Sequence, residues 1–291
     1  MTIAVKLARL GAAVAAGVMI CMSAAPASAQ CLETIRQKGM LLSANGLMGT
    51  KPYAWKNDQT GKYEGYEPAI LDELVKRLGI AKWDYAVTEW TTMIPGLKAG
   101  RWDIILSGMS VTQERIQGAG IIYSDPYYLL YDHVIVAEDS PIKTMDDLKG
   151  KSLAVPLGTL DANNAHMLVD SGKAGKVIEF NTFNEPFVAM ANKQADAVVL
   201  DQATFYGMQA DKGGLRTVGP PLPYMPKPDW VAAEAKAPYK FGGTAVGMRK
   251  ECTDLLAAVN KALADMDKDG TRKKILVAYG AWSDEQISLM K

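Results

Sequence analysis

After residue 30, short apolar runs alternate with stretches of helical period, and this alternation narrows the fold more than any other feature of the chain. MLLSA (40–44), WDIIL (102–106), HVIVA (133–137), SLAVP (152–156), KVIEF (176–180), ADAVVL (195–200) and TAVGM (244–248) read as strands. Helical segments fall between and around them at 31–38, 68–79, 91–100, 159–170, 184–194, 254–268 and 271–278. In the second of these, Pro68 sits where a first helical turn tolerates it. Ile70, Leu71, Leu74, Val75 and Leu78 share one face, and Gly79 stops the helix. Thr253 is the expected cap of 254–268, whose Leu255, Leu256, Val259, Leu263 and Met266 form an apolar stripe. Strands and helices in alternation build α/β units. Residues 219–241 break the pattern: six prolines among aromatics predict a long ordered loop.

The chain has 291 residues, 48% of them apolar, enough for one large domain or two small ones. Acidic and basic residues balance at 32 each and no basic patch stands out, which argues against nucleic acid as a partner. Residues 1–29 are set apart from the fold. Lys6 and Arg9 precede an apolar stretch, and Ala27–Ser28–Ala29 supplies small residues for a cut after Ala29. That is the pattern of a cleaved secretory signal, with an uncleaved anchor helix as the alternative. The expectation from this segment is export as a soluble protein.

Without that segment two cysteines are left, Cys31 and Cys252. An even count in an oxidising compartment permits one disulfide; two buried free thiols are the other possibility. His133 and His166 lie in no metal-ligand spacing, and no zinc motif, phosphate loop or nucleophile–base pair is visible. No metal or cofactor is expected.

Six segments in order, KPYAW (51–55), GYEPAILDEL (65–74), IPGLKAGRWDIILSGMSVTQERIQGAGIIYSDPYY (94–128), LKGKSLAVPLGT (148–159), QADAVVLDQ (194–202) and GTAVGMRKECTDLLAAVNKALADMDKDGT (243–271), resemble the family 3 extracellular solute-binding proteins, periplasmic receptors of amino-acid ABC transporters. The resemblance covers nearly the whole chain after residue 30. It implies a two-lobed periplasmic-binding-protein fold of type II, with two crossover strands near 133–137 and 242–247 as hinge. Lobe one would take 30–134 plus 244–291, and lobe two 135–243. It also implies a monomer that delivers a small ligand to an inner-membrane permease.

Within that frame SGMSVTQERIQ (107–117) acquires a purpose. Ser107, Gly108 and Ser110 follow a buried strand, where backbone N–H groups and hydroxyls can face a cleft and glycine permits close approach. Arg115 adds a planar fork that matches a carboxylate. In the family the equivalent arginine binds the ligand α-carboxylate. A solvated Arg115 is the alternative. Gly158 and Thr159 precede a helix whose free N–H groups favour anions, and Thr159 also suits a plain N-cap. Asp201 follows the AVVL strand; the family places the ligand α-ammonium there, and a helix cap is the alternative. Trp90, Tyr53 and Trp55 are candidate aromatic walls, with core packing equally open for the last two.

Some positions depart from the family pattern. Gly65-Tyr66-Glu67 carries glutamate where aspartate is usual, NGLMGT (45–50) holds no acid, and Leu160 replaces a second threonine. The ligand is therefore expected to carry a carboxylate and a cationic nitrogen without being restricted to a standard amino acid. Two other functions stay open: a dehydratase-like enzyme on this fold, with Glu67 and Asp201 as candidate acids, and an accessory protein using 219–241 for protein contacts.

Overall fold

The computed structural model describes residues 30–290, so the expected signal segment lies outside the described residues. The first part runs α1 (Cys31–Lys38), β1 (Met40–Asn45), β2 (Trp55–Lys56), β3 (Tyr63–Glu64), α2 (Tyr66–Leu78), β4 (Lys82–Val87), α3 (Met93–Lys98), β5 (Ile104–Ile105) and β6 (Ile121–Leu129). The middle runs β7 (Asp132–Ala137), β8 (Ser152–Pro156), α4 (Leu160–Asp170), β9 (Lys176–Phe180), α5 (Glu185–Ala191), β10 (Ala197–Asp201), α6 (Gln202–Lys212), β11 (Leu215–Leu222) and α7 (Val231–Glu234). The chain then returns through β12 (Gly243–Arg249), α8 (Thr253–Lys268) and α9 (Thr271–Ala278).

Two five-stranded sheets result, ordered β4-β1-β5-β12-β6 and β11-β7-β10-β8-β9. In the first, β1 runs parallel to β4 and β5, while β12 is antiparallel to β5 and β6. In the second, β8 runs parallel to β9 and β10, and β7 is antiparallel to β10 and β11. One core surrounds the first sheet, centred on Ile70, Leu71, Ile104, Ile105, Val246 and Leu255. The second sheet is covered on both faces, by α4 residues such as Ala165 and Leu168 on one side and α5 residues such as Phe187 and Met190 on the other. The order of these sheets sends the chain across between them twice, at 130–131 and at 223–242.

The expected boundary at 134/135 falls inside β7, which pairs from Asp132 onward with strands of the second sheet. The residues expected to form the crossovers, 133–137 and 242–247, are sheet members almost throughout, and the connections lie just outside them. Apolar composition is the same in a hinge strand and a core strand, so sequence could not separate the two.

Residues 219–241 are more regular than expected. Gly219 to Leu222 complete β11, and a short helical segment spans 228–234. β11 is an edge strand, where Pro220 and Pro221 need donate to no further neighbour. Its register shifts between Val218 and Leu222. The rest is tied down: Asn163 and Asn164 donate to the Met225 and Pro223 carbonyls, and the Tyr224 hydroxyl donates to Glu234. Thr253 does not cap α8. It lies in the first turn, with Cys252 at the cap position and no side-chain cap bond.

Cys252 is bonded to Cys31, with Cα atoms 5.3 Å apart. The adjacent Leu32 N–H donates to Asp254 of α8, so the start of the chain is fastened to the returning segment. The bond closes a loop with a sequence separation of 221 residues. Replacing both cysteines by alanine is expected to lower the unfolding free energy by about 5 kcal/mol, from the loss of loop-closure constraint on the unfolded chain. Urea denaturation of the two forms measures this.

Candidate functional site

The parallel strands β1, β5, β8 and β10 end on the same side of their sheets, and the candidate residues stand just past those ends. In open α/β sheets this is where ligands bind, because the strands hand over there to loops whose backbone groups are not yet paired. Ser107 to Ser110 follow β5, Gly158 to Asp161 follow β8, and Asp201 ends β10. Leu47, Tyr53, Trp90, Gly108, Ser110, Arg115, Leu130, Thr159, Leu160, Asp161, Phe183 and Asp201 enclose one small cavity of about 20 Å³ between the two sheets. An outer cleft of about 700 Å³ shares Arg115 and Thr159 with it and extends past His166, Tyr224, Lys227 and Trp230.

Arg115 lies in a single π-helical turn, Glu114–Gly118, and is buried. Nη1 donates to the Ser110 carbonyl at 2.6 Å, and Nη2 to the Gly158 carbonyl at 2.9 Å. Its guanidinium carbon is 5.6 Å from the Trp90 ring centroid. Trp90 Nε1 donates to the same Gly158 carbonyl at 3.3 Å, and its ring meets Phe183 edge-on at 5.3 Å. Gly158 thus offers its carbonyl, not its N–H, toward the first sheet. Thr159 is the N-cap of α4. Its hydroxyl accepts from Ala162 N–H and donates to the Pro156 carbonyl. The solvated reading of Arg115 is set aside by its burial, and its acceptors are both neutral.

Asp201 caps α6, accepting from the Thr204 N–H and hydroxyl at 2.9 and 2.7 Å. It also accepts from the Tyr53 hydroxyl at 2.7 Å, a bond that reaches across from the first sheet. The cap alternative for Asp201 and the cavity position therefore coexist. Burial raises its pKa, and the hydrogen bonds from Thr204 and Tyr53 oppose that rise.

Three of the candidate residues, Ser107, Glu67 and Trp55, lie outside the cavity, and Gly108 lines it with its N–H turned away. The Ser107 hydroxyl is buried and accepts from Gly46 N–H at 2.9 Å, away from the cavity. The Gly108 N–H turns inward, donating to Glu67 Oε1 at 2.6 Å, with the Tyr127 hydroxyl at 3.2 Å. Gly108 adopts φ +61°, and a Cβ there would run into Leu47, so packing demands the glycine. Glu67 is fully buried beneath Gly108 and does not line the cavity. Trp55 donates to Glu64 and packs edge-on against Tyr279, outside the cavity. Ser110 does reach the cavity, and its hydroxyl is buried with no hydrogen-bond partner.

Sequence reasoning passed over Asp161, Leu47, Leu130 and Phe183. Asp161 had a usable signal: it stands two residues after Thr159 at a helix start, where an acid suits the dipole. That ordinary role hid its burial. It is 5% exposed, and burial and the neighbouring Asp201 charge raise its pKa.

Two α/β lobes with buried opposite charges around a cavity between them define a two-lobed ligand-binding protein. The chain belongs to the bacterial extracellular solute-binding proteins, family 3, whose model matches residues 46–281. It is 31% identical over 230 residues to the lysine/arginine/ornithine-binding periplasmic protein of Escherichia coli strain K12, covering 78% of this chain and 83% of that one. Among solved structures it is similar to a mutant arginine-binding protein from T. maritima, with TM-score 0.69 and 27% identity over 87% of this chain and 100% of that one. It is likewise similar to an ancestral amino-acid-binding protein described as a precursor of cyclohexadienyl dehydratase, with TM-score 0.68 and 29% identity over 85% and 98%.

Glu67 gives the region a pH signature. Burial lifts its pKa to about 7, against the hydrogen bonds from Tyr127 and Gly108, and its Oε2 has no acceptor or donor partner, the place for a proton. Both folded and unfolded chains hold that proton below the ordinary carboxylate pKa. Between there and about 7 only the folded chain does, so stability falls as pH rises through this window. Glu67→Gln keeps Oε1 as an acceptor and cannot ionise. It is expected to be more stable than the parent by up to about 3 kcal/mol near pH 8 and equal to it near pH 4. Denaturant titrations at the two pH values test this.

Proposed function

We propose that this protein is a periplasmic receptor that captures an amino acid or amino-acid derivative between its lobes and presents it to an ABC permease. One observation carries the reading. Among the described residues, Arg115 donates only to neutral carbonyls, while Asp161 and Asp201 face the same cavity without a lysine or arginine partner. Buried opposite charges that do not pair with each other suit a zwitterion placed between them. Its carboxylate replaces the Ser110 and Gly158 carbonyls on Arg115, and its ammonium takes the place of the Tyr53 hydroxyl at Asp201. The amino-acid-binding relatives support the ligand class.

Lobe one comprises the first sheet with 30–129 and 243–290, lobe two the second sheet with 132–222. Closure turns about 130–131 and 223–242. Among the described residues, the bonds that cross between lobes include those of Arg115 and Trp90 to Gly158 and of Tyr53 to Asp201, which involve cavity residues, and that of Gln202 Nε2 to the Tyr128 hydroxyl, which lies outside the cavity. Ligand and closure are thereby linked. We read the protein as binding its ligand without chemistry. Of the two acids the sequence offers for such chemistry, Glu67 is sealed under Gly108, and Asp201 is engaged by its own helix.

Titration calorimetry with a panel of amino acids, opines and betaines checks the proposal. At least one carboxylate-bearing cation should bind, and Arg115→Ala should weaken it by about 10–100-fold, the worth of a charge-assisted fork. Undiminished binding in the variant would remove Arg115 from the site and the reading with it.

A further inference from the structure

One face of α6 lies against the other lobe. Asp201 at its cap accepts from the Tyr53 hydroxyl, Gln202 donates to the Tyr128 hydroxyl, and Ala203 packs into the core around the first sheet. Four residues on, sharing a face with Ala203, stands Gly207. Glycine weakens a helix interior relative to alanine. Backbone conformation does not call for it here, since Gly207 is helical and has no positive φ. The other lobe does. A Cβ on Gly207 would collide with the carbonyl oxygen of Lys51, two residues before Tyr53. A backbone carbonyl cannot swing aside as the end of a long side chain can. The contact is narrow and peripheral. Gly207 is half-buried and Lys51 exposed, and beside them a cavity of about 350 Å³ lies between Pro52 and Tyr128 of one lobe and His133 and Tyr206 of the other.

We propose that Gly207 is a positioning residue for lobe closure: the Lys51 backbone seats on it when the lobes come together and leaves it when they part. The inference rests on the receptor reading and names the point at which its lobes stop. Gly207 does not line the cavity of Arg115 and Asp201, so it acts on a ligand only through the separation of the lobes. The bonds of Tyr53 to Asp201 and of Arg115 to Gly158 cross the same boundary. A side chain at 207 wedges that boundary open and weakens the hold on every ligand by one factor, whatever the ligand side chain. The open, unliganded protein does not meet the wedge and keeps the helix preference of alanine.

The test compares the parent protein with Gly207→Ala, both stripped of bound solute, by titration calorimetry with arginine, histidine, glutamine, octopine and glycine betaine. Each compound that the parent binds should bind the variant about tenfold or more weakly, and by a common factor. The unfolding midpoint of the unliganded variant should be unchanged or raised by up to about 3 °C. Small-angle scattering at saturating ligand should find the variant more extended than the parent. A glycine needed only for packing gives the opposite split: the unliganded variant is less stable, or does not fold, and either result overturns the proposal. So does a loss confined to some of the ligands, which marks a change in the cavity itself. Should none of the compounds bind the parent, the receptor reading fails; should the parent bind one and the variant bind it equally well, only the closure contact fails.

Discussion

The fork of Arg115 joins the two halves of the molecule. One nitrogen holds the Ser110 carbonyl in its own lobe and another holds the Gly158 carbonyl in the other. A guanidinium is always charged, and neutral carbonyls satisfy its geometry without matching its charge. A carboxylate satisfies both. Under the proposed function, the closed cleft rests on an interaction that a carboxylate ligand improves, which would couple occupancy to closure. Trp90 reinforces the arrangement by sharing the Gly158 carbonyl and standing against the guanidinium face.

The acids are organised in two tiers. Asp161 and Asp201 line the cavity, while Glu67 and Asp132 stand behind it, wholly buried. Glu67 fixes the loop after β5 by taking the Gly108 N–H and the Tyr127 hydroxyl, so Ser110 and Arg115 are presented from a rigid base. Such burial of carboxyls costs stability near neutral pH, and strain of this kind is commonly concentrated at functional sites.

The alternation of strands and helices was legible because each element buries one face or both, and burial imprints its period on the residues. The strands at 152–156 and 176–180 and the helix at 271–278 coincide with the apolar runs that announce them. WDIIL yields only Ile104–Ile105 as strand, because Trp102 turns its indole to the Met93 carbonyl and Asp103 uses its carboxylate on Leu42 N–H. The strands Lys82–Val87 and Ile121–Leu129 and the helix Gln202–Lys212 went unannounced: charged or prolyl residues interrupt their runs, and pairing with neighbours compensates. At the site, Arg115, Ser110, Thr159, Asp201, Trp90 and Tyr53 all reach the cavity. Ser107, Glu67 and Trp55 do not, because adjacency along the chain says nothing about which side of a turn a group faces.

The sequence by itself determined the α/β class, the order of the elements and the residue types gathered past the strand ends, since these depend on local periodicity and on the chemistry of single side chains. Only the tertiary structure decided which N–H of the 107–110 loop points inward, that Asp161 is buried on the same cavity as Asp201, and that one carbonyl of Gly158 serves both Arg115 and Trp90. Those facts depend on how two sheets far apart in the chain come to lie against each other, and no local pattern encodes a contact between residues whose nearness is set by the whole fold.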